Sequence, residues 1–197
     1  YVWSHAFGIC LSIIAVVLLM TKAIEKGNIW MMISFPIFGI SLILLYLAST
    51  LYHSAKDPSK RFKLKIFDHA AIYVLIAGSY TPFTLVSLNG ETGWFIFSIV
   101  WILAFTGIIL KLFFTGRFKV LSTAMYVLMG WLIIFYFKEL TANLHSDGVF
   151  YLILGGVFYT IGAVLYSIKK IKFNHAIFHV FVLGGSFCHF LSVYLYI

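Results

Sequence analysis

The hydrophobic residues of this chain fall into seven long runs separated by short polar breaks. Each run holds about 20 residues, which is the length an α-helix needs to cross the hydrocarbon core of a bilayer. No run shows the alternation of polar and apolar residues that is typical of an outer-membrane strand. The pattern predicts helices at about residues 3–21, 29–52, 66–88, 94–113, 118–137, 149–168 and 173–197.

The composition supports a membrane protein built from these helices. Hydrophobic residues make up 62% of the 197 residues and charged residues only 10%, which is far more apolar than a soluble domain of this length. We therefore predict an all-α membrane protein with a single seven-helix transmembrane domain, residues 1–197. Cys10 and Cys188 lie inside apolar runs, which favours free core thiols over a disulfide. The chain opens on Tyr1, so we expect the natural N-terminus to lie upstream.

The formal net charge of +8 predicts the orientation of the chain in the membrane. In a soluble protein this charge would suggest nucleic acid, but in a membrane protein lysines and arginines concentrate in cytoplasmic loops. Here most of them lie in the second, fourth and sixth breaks. We therefore expect the N-terminus in the cytoplasm, the C-terminus outside, and membrane lipids rather than nucleic acid as partners. The basic residues of these breaks are Lys56, Lys60, Arg61, Lys63, Lys65, Lys111, Arg117, Lys119, Lys169, Lys170 and Lys172.

Polar side chains that a bilayer tolerates poorly collect at the predicted cytoplasmic ends of four helices. They are His5, Ser49, His53, Asp68, His69, His175 and His179. Because separate stretches of chain could have spread them over both leaflets, their common depth predicts one site. His145 falls in an external loop and is expected to be solvated. His189 lies about 15 Å deeper than His179 along the same helix, which predicts a buried histidine with a hydrogen-bond partner.

The histidines of this layer predict a metal site. His175 and His179 are four residues apart, so they share one face of a helix with Cβ atoms about 5–6 Å apart. By itself such a pair could equally be two interfacial residues. Together with His53 it supplies three imidazoles, the ligand set of many catalytic zinc sites, whose fourth position holds the reacting water. Iron or another divalent ion could use the same ligands, but all-imidazole coordination at a water-activating site favours Zn2+.

A carboxylate and a hydroxyl accompany these histidines. Asp68 is the only carboxylate inside a predicted span. Because a carboxylate is energetically unfavourable there without a partner, we predict that it interacts with the metal-bound water and acts as its general base. It could instead cap the third helix or pair with Lys65. Ser49 precedes His53 by four residues and so shares its helix face, where it could orient water or substrate, or bond back to a helix carbonyl. His69 is expected to be interfacial or to support the site.

Three motifs give the chain a family resemblance. They are Ser49-x3-His53 on the second helix, Asp68 followed by Gly78-Ser79-Tyr80-Thr81-Pro82-Phe83 on the third, and His175-x3-His179 with Phe178 and His189-Phe190 on the seventh. In this order the motifs resemble the progestin and adipoQ receptor family, in particular its bacterial branch, the hemolysin III proteins. The alkaline ceramidases are similar more distantly. The resemblance covers essentially the whole chain.

The resemblance implies a seven-helix fold with a cytoplasmic N-terminus. It also implies a zinc ion near the cytoplasmic face, held by the residues matching His53, His175 and His179, and a water between the zinc and the aspartate matching Asp68. A ceramide-hydrolysing activity is associated with the adiponectin receptors of this family. The family's first motif is matched here only by Ser4-His5.

These patterns predict a zinc-dependent hydrolase of a lipid amide or ester in a bacterial cytoplasmic membrane, with a role in membrane-lipid homeostasis. Asp68 would accept the proton of the attacking water and Ser49 would orient water or substrate. Two alternatives stay open. In one, zinc only joins helices in a non-catalytic receptor or sensor. In the other, the protein is a cytolytic pore former, although a pore needs a polar stripe along several helices and these polar groups lie at one end.

Overall fold

A computed structural model describes residues 2–115, 119–168 and 170–197, except for the side chains of 2–4, 119–120 and 175. Within these ranges the backbone is helical, with short turns and no strand. Arg117 and Lys169, two of the residues in the predicted charge pattern, lie outside the described residues. The contacts of the chain divide it into two compact units, Tyr1–Phe118 (unit 1) and Lys119–Ile197 (unit 2).

Both units consist of long apolar helices. Unit 1 contains α1 (Val2–Lys26), α2 (Ile29–Ser54), α3 (Pro58–Pro82) with a π-helical continuation (Phe83–Ser87), and α4 (Glu91–Phe114). Unit 2 contains α5 (Lys119–Gly130), a 3₁₀ helix (Leu132–Tyr136), α6 (Phe137–Asn143), α7 (Ser146–Ser167) and α8 (Asn174–Tyr196). The described residues include seven helical spans long and apolar enough to cross a membrane, with the stretch from α5 to α6 counting as one. This confirms the predicted all-α, seven-helix membrane fold.

The third helix begins at Pro58, about two turns before the predicted start at residue 66. The Asp57 side chain accepts a hydrogen bond from the Lys60 backbone N–H at 2.8 Å, and Pro58 occupies the first turn, where its missing N–H costs nothing. Lysine and arginine are good helix formers, so the basic stretch continues the helix. The hydropathy pattern places only the apolar part of a helix, and that is why the prediction began too late.

The turn between α1 and α2 consists of two residues. Gly27 has φ +60, the left-handed conformation that ends many helices, and glycine adopts it without a Cβ penalty. The Asn28 side chain then accepts from the backbone N–H groups of Trp30 at 2.9 Å and Met31 at 3.2 Å. The whole turn is made by Gly27 and the N-cap Asn28 of α2. α1 therefore continues to Lys26, beyond the predicted end at residue 21.

Small residues let the helices of unit 1 pack closely. A Cβ on Gly8 of α1 would lie 2.7 Å from the ring of Tyr46 on α2, and a Cβ on Gly78 of α3 would lie 2.7 Å from Cβ of Ser41 on α2. Tyr46 is only 2% exposed. In the α1–α2 and α2–α3 pairs, the backbone of one helix therefore lies against a side chain of the other. This close packing brings the polar residues on these helices within hydrogen-bond range of one another.

In unit 2, α7 and α8 pack against each other around His189. Its Nε2 hydrogen-bonds to the Leu152 carbonyl at 3.2 Å, and its ring lies edge-on to Tyr159 with centroids 5.3 Å apart. The Tyr159 hydroxyl in turn hydrogen-bonds to Ser186 at 2.8 Å. The prediction that His189 has a hydrogen-bond partner is confirmed, although the residue as a whole is half-buried. Gly155 makes this arrangement possible, since a Cβ there would lie 2.6 Å from Nε2 of His189.

We expect Gly155→Ala to lower the thermal unfolding temperature of the detergent-solubilised protein, because the added methyl group overlaps the His189 ring. Overpacking of this kind costs about 1–3 kcal/mol. The matched control is Gly156→Ala on the same helix, where the nearest atom to a Cβ is Trp131 Cζ2 at 3.2 Å. A Gly155→Ala protein as stable as the Gly156→Ala protein would show that the glycine is not needed for the α7–α8 contact.

Candidate metal centre

His5 lies in the first turn of α1 and is buried against α2, with 3% of its surface exposed. Its ring is 6.0 Å from that of Tyr46, the tyrosine that packs over Gly8. On α2 the ring of His53 lies nearly parallel to that of His5, with a 5° angle between the planes and 5.8 Å between centroids. A ring nitrogen of each histidine lies within 4.8 Å of the other. Two imidazoles from different helices thus converge within unit 1.

An aromatic side chain, Tyr52, lies beside His53 at the end of α2. The ring of Tyr52 lies 4.7 Å from the His53 ring, and the Arg61 guanidinium lies over Tyr52 at 5.5 Å from its centroid. His53 is half-buried at the end of its helix. The imidazole is therefore held by neighbours on two helices while part of it stays accessible.

Ser49 connects three helices of unit 1. Its hydroxyl oxygen lies 3.0 Å from Nε2 of His5 on α1, and the same hydroxyl hydrogen-bonds to the carboxyl of Asp68 on α3. Ser49 is 4% exposed and Asp68 is half-buried. The first residue of α3 follows Asp57, which caps that helix, so Asp68 does not act as its cap. The structure thus brings the predicted base and hydroxyl into direct contact.

In unit 2, His179 lies on α8 and is 3% exposed. Its ring is 5.5 Å from that of Phe178, which packs on Tyr166 of α7 at 5.1 Å. His175 belongs to the first turn of the same helix, but its side chain lies outside the described residues. Its role as a metal ligand therefore stays a prediction.

Within unit 1, the imidazoles of His5 and His53 lie close enough together to share a metal ion. The role of His179 as a metal ligand stays a prediction. Imidazole nitrogens are donors that suit zinc, copper, iron and nickel, so the donor set fits the predicted Zn2+ without selecting it. His5 is the member of this pair that the sequence analysis did not assign as a ligand. It was placed at the same predicted depth as the other polar residues, and this shared depth was the signal that could have included it.

The fold and the His5–His53 pair define the class of protein: a polytopic helical membrane protein with a possible metal site. Residues 1–190 match the family model described as Haemolysin-III related. The chain belongs to this family, which confirms the predicted resemblance.

Known relatives extend over nearly the whole chain. It is 50% identical over 193 residues to "Hemolysin-3 homolog" of Bacillus subtilis (strain 168), covering 98% of this chain and 91% of the relative. It is 46% identical over 194 residues to "Hemolysin-3" of Bacillus cereus, covering 98% and 89%. A more distant relative is "Monocyte to macrophage differentiation factor" of Homo sapiens, which is 29% identical over 208 residues, covering 99% and 82%.

We expect His53→Ala and His179→Ala each to lose most of the bound metal, because three imidazoles bind an ion far better than two. Metal content per protein, measured by mass spectrometry after purification without chelators, checks this. The matched control is His145→Ala, since the His145 side chain is 62% exposed at the start of α7. Wild-type metal content in either of the first two variants would remove that histidine from the site.

Proposed function

We propose that this protein is a zinc-dependent hydrolase of a lipid amide or ester, acting in the cytoplasmic leaflet of a bacterial cytoplasmic membrane. The observation that carries the proposal is the hydrogen bond between Ser49 and Asp68 beside the histidines of α1 and α2. Placing a carboxylate inside a membrane-spanning helix costs free energy. Such residues are therefore usually paired with another group and functional. Metal-assisted hydrolysis commonly uses a general base next to the metal ion, and Asp68 lies next to a possible metal site.

The proposed ligands are His53, His175 and His179. Support for His53 comes from the parallel His5 ring beside it in unit 1. Support for His179 comes from its burial on α8 and from the family resemblance. Support for His175 comes from its i,i+4 spacing to His179 and from the family resemblance. A zinc ion bound there would supply Lewis acidity toward a carbonyl and would make water nucleophilic.

The side chains of unit 1 account for the proton transfers of such a hydrolysis. Asp68 accepts the proton that water releases as its oxygen attacks the carbonyl carbon. The carboxyl then returns that proton to the leaving amine or alcohol as the bond to carbon breaks, so the carboxylate is regenerated. Ser49 holds the carboxyl in place through its hydrogen bond. We infer that Ser49 also limits which carboxyl oxygen faces the water.

The substrate is proposed to enter from the lipid. The connections between the helices of unit 1 are only a few residues long, as the two-residue turn at Gly27 and Asn28 illustrates. Such short connections cannot form a soluble binding domain over the site. A lipid amide or ester, whose carbonyl lies near the headgroup layer, fits this access route. The same chemistry would give the protein a role in membrane-lipid homeostasis.

Asp68→Asn should retain its metal and lose turnover. Asparagine keeps the shape and can still accept from Ser49, but it cannot take up a proton, so the rate should fall about 10²- to 10⁴-fold. Turnover is measured on protein in lipid vesicles with a short-chain ceramide and a fluorescent fatty-acid ester, alongside zinc content. The matched control is Asp57→Asn on the same helix, because asparagine caps a helix about as well as aspartate.

Two results would contradict the proposal. If the wild-type protein with bound zinc hydrolysed neither probe, the result would favour a non-catalytic receptor or sensor over a hydrolase. If Asp68→Asn hydrolysed the probes at the wild-type rate, the base would be wrongly assigned even though hydrolysis occurred. In both cases the metal content shows whether the protein was intact.

The orientation of the site can be measured separately. Lys60 and Asn89 are exposed at opposite ends of the third span. In a background without Cys10 and Cys188, we expect a membrane-impermeant maleimide to label Asn89→Cys on intact cells and Lys60→Cys only after permeabilisation. The basic stretch beside Lys60 is the reason, since positive loops stay in the cytoplasm. The reverse labelling pattern would place the site at the outer face.

Pore formation is the remaining alternative, suggested by the names of the Bacillus relatives. The deeper hydroxyls of unit 1 argue against a polar pore lining. Ser41, Thr81 and Thr84 each donate to a carbonyl of their own helix, at 2.6–3.0 Å, and are buried. Ion conductance through purified protein in planar bilayers, surviving both chelation and His53→Ala, would favour the pore over the hydrolase.

A further inference from the structure

We propose that Arg61 and Lys65 bind the phosphate of a lipid headgroup, so that the lipid hydrolysed beside Asp68 is an ester of an anionic glycerophospholipid. This inference rests on the proposed function, because it names the class of lipid that the same site takes. Its structural content is a phosphate site on α3, on the aqueous side of the base.

Arg61, Lys65 and Asp68 share one face of α3. They are at positions i, i+4 and i+7, which lie above one another on a helix. With a rise of 1.5 Å per residue, Lys65 is about 4.5 Å and Arg61 about 10 Å from Asp68 along the helix axis. Lys65 directly precedes the apolar part of the helix, which begins at residue 66. The two cations therefore lie at the level of the headgroups, and the carboxyl lies deeper.

Contacts with α2 hold Arg61 close to the candidate metal centre. Its guanidinium lies over the ring of Tyr52 at 5.5 Å from the centroid, and the Tyr52 ring lies 4.7 Å from the ring of His53. An arginine that lies over an aromatic ring can still direct N–H groups from the edge of its plane to two oxygens of a phosphate. Arg61 is exposed, so a headgroup has access to it.

The protein does not balance the positive charges around Lys65. Lys65 is half-buried and lies close enough to Lys111 of α4 for the two charges to repel each other. Within the described residues, neither Arg61 nor Lys65 forms an ion pair with a carboxylate. The two carboxylates nearest in sequence have other partners, since Asp57 caps α3 and Asp68 bonds to a serine of α2. An anion beside Lys65 relieves this repulsion, and basic pockets at the cytoplasmic ends of membrane helices bind lipid headgroups in this way.

A glycerophospholipid fits this order of groups along α3. Its phosphate is bonded to the same glycerol that carries the acyl esters, so the ester carbonyls lie only a few bonds deeper in the membrane. Binding of the phosphate by Arg61 and Lys65 therefore directs an acyl carbonyl towards Asp68. The oxygen of water attacks the carbonyl carbon, and the bond from that carbon to the glycerol oxygen breaks. A proton passes from the water through Asp68 to the glycerol oxygen, which leaves a fatty acid and a lysophospholipid.

The preference for a phosphate headgroup is measured as the ratio of kcat/KM for phosphatidylglycerol to kcat/KM for the neutral fluorescent fatty-acid ester. We expect Arg61→Gln and Lys65→Gln each to lower this ratio about 10- to 100-fold, the effect of losing a hydrogen bond between charged groups. Arg61→Lys keeps the charge and should retain most of the preference.

The matched control is Lys63→Gln, which removes one charge from the same basic stretch. Lys63 is exposed and lies two residues from both Arg61 and Lys65, so it points to the other side of α3. Its ratio should equal that of the wild type. If Lys63→Gln lowered the ratio as much as Arg61→Gln, general attraction between a basic helix and an anionic surface would explain the preference, and the proposal would be overturned.

Lipid binding gives a second readout that does not depend on turnover. Asp68→Asn protein, which does not consume the lipid, is released from nanodiscs containing equal amounts of phosphatidylglycerol and phosphatidylcholine, and the retained lipids are counted by native mass spectrometry. We expect phosphatidylglycerol to be retained in preference, and the preference to be lost when Arg61→Gln is added. Equal retention of the two lipids would overturn the phosphate site, and this result needs no variant of the site to fold.

Further outcomes separate the source of the phosphate and the proposed function. Inorganic phosphate at millimolar concentration should not displace the retained phosphatidylglycerol, and complete displacement would assign the site to a soluble anion instead of a lipid. A wild type that hydrolysed the neutral ester but not phosphatidylglycerol would overturn this inference and leave the proposed function intact. If the wild type hydrolysed no probe, the proposed function would fail, and lipid retention would still decide whether the phosphate site exists.

Discussion

The structure of unit 1 depends on the hydrogen bonding of one hydroxyl, that of Ser49. A carboxylate in a spanning helix loses the hydration that stabilises its charge, and it must regain hydrogen bonds from the protein. Ser49 supplies one to Asp68 and is itself in contact with His5. Each of the three groups lies on a different helix. The polar network is therefore satisfied only if α1, α2 and α3 pack at this register, and a shift of one helix would leave a buried polar group without its partner.

Small residues make that register possible. Gly8 lets α1 approach the face of α2 that carries Tyr46, and Gly78 lets α3 approach Ser41 on the same helix. In lipid, apolar surface gives little drive for helix association, so close packing and buried hydrogen bonds must hold the helices together. The packing and the chemistry of the site thus share one structural cause. The same principle recurs in unit 2, where Gly155 admits the ring of His189.

The differences between prediction and structure have the same origin. Hydropathy reports where a residue prefers lipid, and a helix can extend past that point when its residues favour helix and its first turn is capped. Asp57 and Pro58 provide such a start for α3. The contact between His5 and Ser49 was likewise not predicted. His5 belonged to the predicted layer of polar residues, but no spacing in the sequence relates it to Ser49, which is 44 residues away. Only the packing of α1 on α2 creates that contact.

The sequence by itself determined the class of fold, the seven spans and the family. These follow from local periodicity, from composition and from motifs whose residues are close in the chain. The tertiary structure alone decided that Asp68 bonds to Ser49, that Asp57 and not Asp68 caps α3, and that the His5 ring lies parallel to that of His53. Rotation of each helix about its axis sets these contacts, and that rotation depends on side chains from neighbouring helices that no single stretch of sequence contains.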